Sequence, residues 1–198
     1  MFAACETTGN ENSTANRNAA APTANETGRK AADEANSKAG GNSNSPGNSA
    51  ESPDFMGTAG ITEKKYEIKN AAILEDVRAG RHEGFDRVVF EFEDAEMPSY
   101  HVEYIDAPVR ACGSGNVVSL KGDGFLEIRF TPANAHTEDG EPTVKNREQW
   151  PNLKIIKEIK STCDFEAEVE WVLGVAAANK YRVLELKNPT RLAIDIKH

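Results

Sequence analysis

After about residue 60 the chain alternates apolar and polar side chains with a period of two. In Arg87-Val88-Val89-Phe90-Glu91-Phe92-Glu93, Val88, Phe90 and Phe92 share one face, while Arg87, Glu91 and Glu93 take the other. Leu126, Ile128 and Phe130 repeat the pattern, and Leu192-Ala193-Ile194-Asp195-Ile196-Lys197 continues it. From Phe165 to Leu173 the alternation is clearest, with Phe165, Ala167, Val169, Trp171 and Leu173 set against Glu166, Glu168 and Glu170. Such spacing predicts strands with one buried face. Residues 66–74, 100–105, 117–120, 153–160 and 181–186 supply further strands, separated by turn signals such as Gly113-Ser114-Gly115, Asp123-Gly124 and Asn188-Pro189. No stretch keeps helical spacing for more than a few turns. About nine short antiparallel strands, each with a solvated face, predict an all-β fold, an antiparallel β-sandwich.

Residues 1–60 read differently. Asn, Ala, Ser, Thr and Gly dominate them, and large apolar residues are almost absent. A segment of this kind buries too little apolar area to offset the entropy of ordering its backbone, which predicts a disordered tether before a folded domain at 61–198. As a flexible coil of about 50 residues the tether would span roughly 40 Å. At its root lies Phe2-Ala3-Ala4-Cys5, an apolar residue and two small ones before a cysteine. This resembles the bacterial lipobox, which makes Cys5 a candidate lipidation site, although the charged and apolar regions of a signal peptide do not stand before it. A lipid-bearing Cys5 would connect the chain to a membrane, with multiple acyl chains giving stable anchoring.

Charge narrows the partners. The 198 residues carry a formal charge of −9, and the part beyond residue 60 holds 25 acids against 19 bases. With no run of Lys and Arg to neutralise a series of phosphates, nucleic acid is not an expected partner. No segment approaches the roughly 20 apolar residues of a membrane-spanning helix. Cys112 and Cys163 are the domain's cysteines. Exported domains tend to pair such residues, so the lipobox-like start favours a disulfide between them. Neither has a Cys or His at ligand spacing, so no metal site and no cofactor are expected.

Four segments in order carry a family resemblance. They are Arg81-His82-Glu83-Gly84-Phe85-Asp86-Arg87-Val88-Val89-Phe90, Pro132-Ala133-Asn134-Ala135-His136-Thr137, Asp164-Phe165-Glu166 with Trp171, and Asn188-Pro189-Thr190-Arg191-Leu192 with Asp195. Together they resemble the AMIN-like domain of bacterial secreted proteins and lipoproteins, a family similar to the AMIN domain of cell-wall amidases. The resemblance runs from about residue 66 to 198. It implies a β-sandwich in the cell envelope that contacts peptidoglycan or envelope machinery, and it implies no activity.

Candidate chemistry is sparse. His82, Glu83 and Asp86 beside Arg87 can be drawn as an acid–base site, but the simpler reading has Gly84 turning the chain, Phe85 packing, and Asp86 and Arg87 bracing the strand. The loop from Thr137 to Glu141 is rich in oxygen yet lacks the alternating Asp/Asn pattern of a calcium loop. No Ser or Thr occupies a nucleophile setting, and no catalytic residues are assigned. The Glu166/Glu168/Glu170 row reads as a solvated strand face, opposite Lys157 or Lys160. Trp171 reads as core, and Trp150, before Pro151, as exposed beside Arg147, where an aromatic ring suits a sugar or peptide. The expected ligand surface comprises Trp150, Arg147, His136, Arg81, His82 and Tyr100. The expected role is that of a non-catalytic envelope lipoprotein binding a cell-wall polymer or an envelope protein. The alternatives are a protein–protein assembly module that binds no glycan and, least favoured, a hydrolase using His82 and His136.

Overall fold

The computed structural model describes residues 55–93 and 96–198; Cys5 and the expected tether up to residue 54 lie outside the described residues, whereas its expected last residues join the fold, with Thr58 bridging Tyr181. Among the described residues there are eleven strands and no helix. They are β1 (Thr62–Lys64), β2 (Ala72–His82), β3 (Phe85–Phe92), β4 (Ser99–Ile105), β5 (Gly124–Thr131) and β6 (Ala133–Asn134), followed by β7 (Glu148–Gln149), β8 (Ile156–Phe165), β9 (Glu168–Val175), β10 (Tyr181–Leu186) and β11 (Thr190–Lys197). One sheet runs β10-β11-β3-β2-β6 and the other β1-β4-β5-β9-β8-β7. Every pairing is antiparallel except the short parallel contact of β2 with β6.

The core lies between the two sheets. Val88, Phe90, Phe92, Leu192, Ile194 and Ile196 face it from the first sheet. Leu126, Ile128, Phe130, Val169, Trp171 and Leu173 face it from the second. Phe90 meets Phe130 and Trp171 edge-on, at ring-centroid separations of 5.2 and 6.3 Å. Edge-on packing sets the positive ring edge against the negative face, a gain of about 1 kcal/mol beyond burial. The sandwich expected from the period-two pattern is therefore present, and Trp171 is core.

Several expected elements fall elsewhere. The strand expected at 66–74 is instead β2, beginning at Ala72, and its apolar rhythm is broken by a bulge between Leu74 and Asp76. A bulge adds a residue, so Leu74 and Val77 both reach the core although they lie three apart. Residues 117–120 form no strand; Val117 makes an isolated bridge to Arg110. The strand expected across Phe165 to Leu173 is present only from Glu168, as β9, and its expected start is a hairpin tip. Phe165 pairs with Glu168, and Glu166 and Ala167 turn the chain at φ 50° and 57°. Phe165 consequently sits 60% exposed rather than in the core. With 117–120 lost and the short strands β1, β6 and β7 added, the count goes from nine to eleven.

The connection from β4 to β5, residues 106–123, folds over the outer face of the second sheet. Cys112 forms a disulfide with Cys163 of β8, with Cα atoms 5.2 Å apart. Beside it the Cys112 amide donates to the Thr162 carbonyl (3.1 Å), and the Lys121 amide donates to the Glu158 carboxylate (2.8 Å). Gly174 permits this approach, since a Cβ there would collide with the Lys121 carbonyl oxygen. Under this cover Glu127, Glu158 and Glu170 are buried. The Glu166/Glu168/Glu170 row is thus not a solvated face. Glu166 lies in the turn, and Glu170 accepts from the Thr162 hydroxyl (2.5 Å) and pairs with Arg129. Lys160 pairs with Glu148 instead.

Candidate functional site

Asp164, the penultimate residue of β8, is the centre at which distant segments meet. Its Oδ1 accepts from the Ala135 amide (2.9 Å) and lies 2.8 Å from His136 Nδ1. Its Oδ2 accepts from Arg147 Nη2 at 2.6 Å, and the same nitrogen donates to the Ala135 carbonyl. The Ala133 amide donates to the Ala167 carbonyl, which fastens β6 to the hairpin tip. Arg147 is held at the other end, where its carbonyl accepts from the Ser161 amide of β8.

Burial alone would raise the pKa of Asp164. The Ala135 amide, the Arg147 guanidinium and the His136 ring outweigh it, and the carboxyl lies below its ordinary value. The centre is therefore anionic at neutral pH, and its lone pairs are occupied by protein donors. What remains for a ligand is the outer side of its two partners. His136 turns Nδ1 inward, which leaves Nε2 outward on a side chain one-third exposed. Arg147 commits Nη2 and buries Nε, so Nη1 is its donor toward solvent.

Exposed aromatic residues flank this pair. Trp150 follows β7 and is 55% exposed, and Phe165 closes β8 at 60%. Gln149 pairs with Ile159, so the distance along β8 from the level of Trp150 to Phe165 is about 20 Å at strand spacing. Within that span Arg147 meets Ser161 and Asp164, and His136 meets Asp164 next to Phe165. A shallow concavity of about 390 Å³, lined by Cys112, Arg147, Ser161, Asp164 and Phe165 among others, opens on the strip.

The other expected ligand residues lie elsewhere. Tyr100 on β4 is 7% exposed, and its hydroxyl donates to Glu185 of β10 (2.9 Å), tying the sheets together. Arg81 and His82 end β2, where the His82 ring stacks on Phe85 at 4.9 Å. The acid–base sketch around His82 does not form a site. Asp86 is fully buried, accepts from the Ile155 and Ile156 amides, and lies 2.9 Å from His198 Nε2. Gly84 turns the chain at φ 82° and Arg87 pairs with Asp195, as the simpler reading has it. Asp164 and Phe165 are absent from the expected ligand surface. Their signal was the Asp164-Phe165-Glu166 segment of the resemblance, read as strand rather than as the end of one.

The model of the AMIN-like domain matches residues 72–198, from the first residue of β2 onward. No curated protein matches the chain, and no solved structure does.

Proposed function

The chain belongs to the AMIN-like domain family, and we propose from that membership that it is a non-catalytic envelope module gripping an extended cell-wall polymer along the β7–β8 edge. The observation that carries this reading is the strip itself. Trp150 and Phe165 are exposed at levels about 20 Å apart along β8, and Arg147 and His136, both joined to Asp164 of the same strand, carry outward nitrogens. Aromatic faces suit the apolar faces of sugar rings, and a guanidinium and an imidazole suit hydroxyl, amide and carboxylate groups. The spacing fits a chain of several units rather than a compact ligand. Attachment to a membrane through a lipid on Cys5 completes this reading, with the intervening residues as tether.

Two experiments test it. Purified protein is sedimented with insoluble peptidoglycan sacculi, against a heat-denatured control. Trp150→Ala and Phe165→Ala, both on exposed side chains, are expected to reduce the bound fraction at least fivefold without altering the melting temperature by more than a few degrees. If the wild-type protein stays in the supernatant, the polymer reading fails, and crosslinking in cells then seeks an envelope protein on the same strip. For the anchor, Cys5→Ala in a chain carrying a complete signal peptide should move the protein from the membrane to the soluble fraction. Continued membrane association would remove the lipid from the account.

A further inference from the structure

On the outer face of the other sheet, one carboxylate holds two arginines. Asp195 is fully buried, and its register partners on either side are Arg87 of β3 and Arg182 of β10. Arg87 binds it with Nε (2.5 Å) and Nη2 (2.9 Å), and Arg182 with Nε (2.8 Å). Both guanidiniums lie over the Phe85 ring, at 5.3 and 5.1 Å, and that of Arg182 also lies over Phe55 at 4.8 Å. The two forks are thereby fixed in place, with side chains 25% and 33% exposed. Arg87 Nη1 and both terminal nitrogens of Arg182 have no partner among the described residues.

The charge balance here is unlike that of the same face further along. Arg78 meets two carboxylates, Asp76 and Glu91, both at 2.6 Å. At Asp195 the ratio is inverted. In the adjoining row Lys197 lies opposite Phe85, and its amide donates to the Lys180 carbonyl; both lysines are exposed. Against these cations stand Asp195, already committed to both arginines, and the exposed Glu83 of the β2–β3 turn. In a domain with more acids than bases this is a local cationic patch with three preset donors.

We propose that Arg87 and Arg182 form an oxyanion site for a phosphate group. Phosphate is the favoured anion because paired planar forks match its several oxygens, and flanking lysines add charge without requiring geometry. Asp195 is the positioning residue: it orients both forks and leaves their outer edges open. The phosphate can come from a phospholipid headgroup or from a soluble phosphate ester, and the chemistry is the same. This site lies on the opposite sheet from the β7–β8 strip and does not depend on it.

The test uses the full chain labelled with ¹⁵N at arginine, so that the Arg87 and Arg182 Nε–H resonances are read directly. One arm titrates inorganic phosphate, and a second adds vesicles of phosphatidylglycerol in phosphatidylcholine, with pure phosphatidylcholine as control. A saturable shift of both resonances is expected, with a Kd of about 1 mM for inorganic phosphate. Arg182→Gln is expected to weaken it at least tenfold, and Arg78→Gln to leave it unchanged. Lys180→Glu with Lys197→Glu, on exposed side chains, is expected to weaken it severalfold and serves if the arginine variant does not fold. Saturation by inorganic phosphate supports a soluble source, and saturation by anionic vesicles alone supports the headgroup. No saturable shift in either arm overturns the proposal, as does a shift that survives Arg182→Gln in folded protein.

Discussion

The Asp86 carboxylate, on the inner face of β3, accepts the Ile155 amide at 2.5 Å from the opposite side of the sandwich. The same Oδ2 takes the Ile156 amide at 3.1 Å, and Oδ1 faces His198 Nε2. Segment 155–156 enters β8 through a bulge, where backbone N–H groups lack ladder partners. A buried carboxylate replaces those partners. Asp86→Ala orphans two buried donors and should destabilise by about 3 kcal/mol or more; Asp86→Asn keeps an acceptor oxygen and should cost about 1–2 kcal/mol. Urea unfolding of the two variants measures this, and equal costs would mean that the amides find other partners.

Acidity should act on this bond and on the one at Asp164 in the same direction. Burial raises both carboxyls, but for Asp86 the His198 ring and two amides outweigh it, and for Asp164 an amide, Arg147 and His136 do. With folded pKa values lowered, their contribution is complete above the unfolded value of about 3.9 and is lost as pH falls below it. Glu127 runs the other way. Burial and then the Glu170 charge raise its pKa, so it withholds stability at neutral pH and returns it as pH falls through the raised value. Urea midpoints should therefore rise as pH falls from neutrality toward the ordinary glutamate value of about 4.3, and fall below the ordinary aspartate value of about 3.9. Glu127→Gln should abolish the rise, and Asp86→Asn should flatten the fall. A midpoint independent of pH over this range would refute both assignments.

The disulfide closes a loop of 51 residues and fastens the β4–β5 connection over Glu127, Glu158 and Glu170. In the chain-entropy account this is worth about 4 kcal/mol at most. Replacing Cys112 and Cys163 together by Ser should cost about 2–4 kcal/mol, and limited proteolysis should gain cuts within 106–123 while β5 and β9 stay protected. Unchanged proteolysis would show that hydrogen bonds such as Lys121 to Glu158 hold the connection unaided.

How far the sequence spoke depended on local regularity. Val88, Phe90 and Phe92, or Leu126, Ile128 and Phe130, were legible as core because β3 and β5 pair without a break in register. In β2 and β8 bulges shift the rhythm, and period-two reading misplaces the residues beyond them. His136 and Arg147 were recognisable as polar surface candidates, but their common partner Asp164 lies 28 and 17 positions away. That meeting is made by the packing of residues 133–136 against the hairpin tip, which no local pattern encodes. The bond that occupies the Tyr100 hydroxyl was illegible for a similar reason. Its partner Glu185 belongs to an edge strand of the other sheet.

The β8–β9 turn shows what a missing signal costs. A two-residue hairpin loop with both residues at positive φ ordinarily announces itself with Asn-Gly or Asp-Gly, whereas here Glu166 and Ala167 occupy it at 50° and 57°. A side chain with a Cβ in this region carries a penalty of about 1 kcal/mol that glycine avoids. Ala167→Gly should therefore stabilise by about 0.5 kcal/mol after the added freedom of the unfolded chain is subtracted. That corresponds to roughly 1–2 °C in melting temperature for a domain of this size. Ala167→Val, β-branched and intolerant of positive φ, should lower it by several degrees. The Ala167 carbonyl accepts from the Ala133 amide, so the Val variant should also loosen residues 133–136 and speed hydrogen exchange at the Ala135 amide. Equal melting temperatures for Ala, Gly and Val at 167 would show that the turn relaxes freely and that the hairpin tip does not hold the Asp164 centre in place.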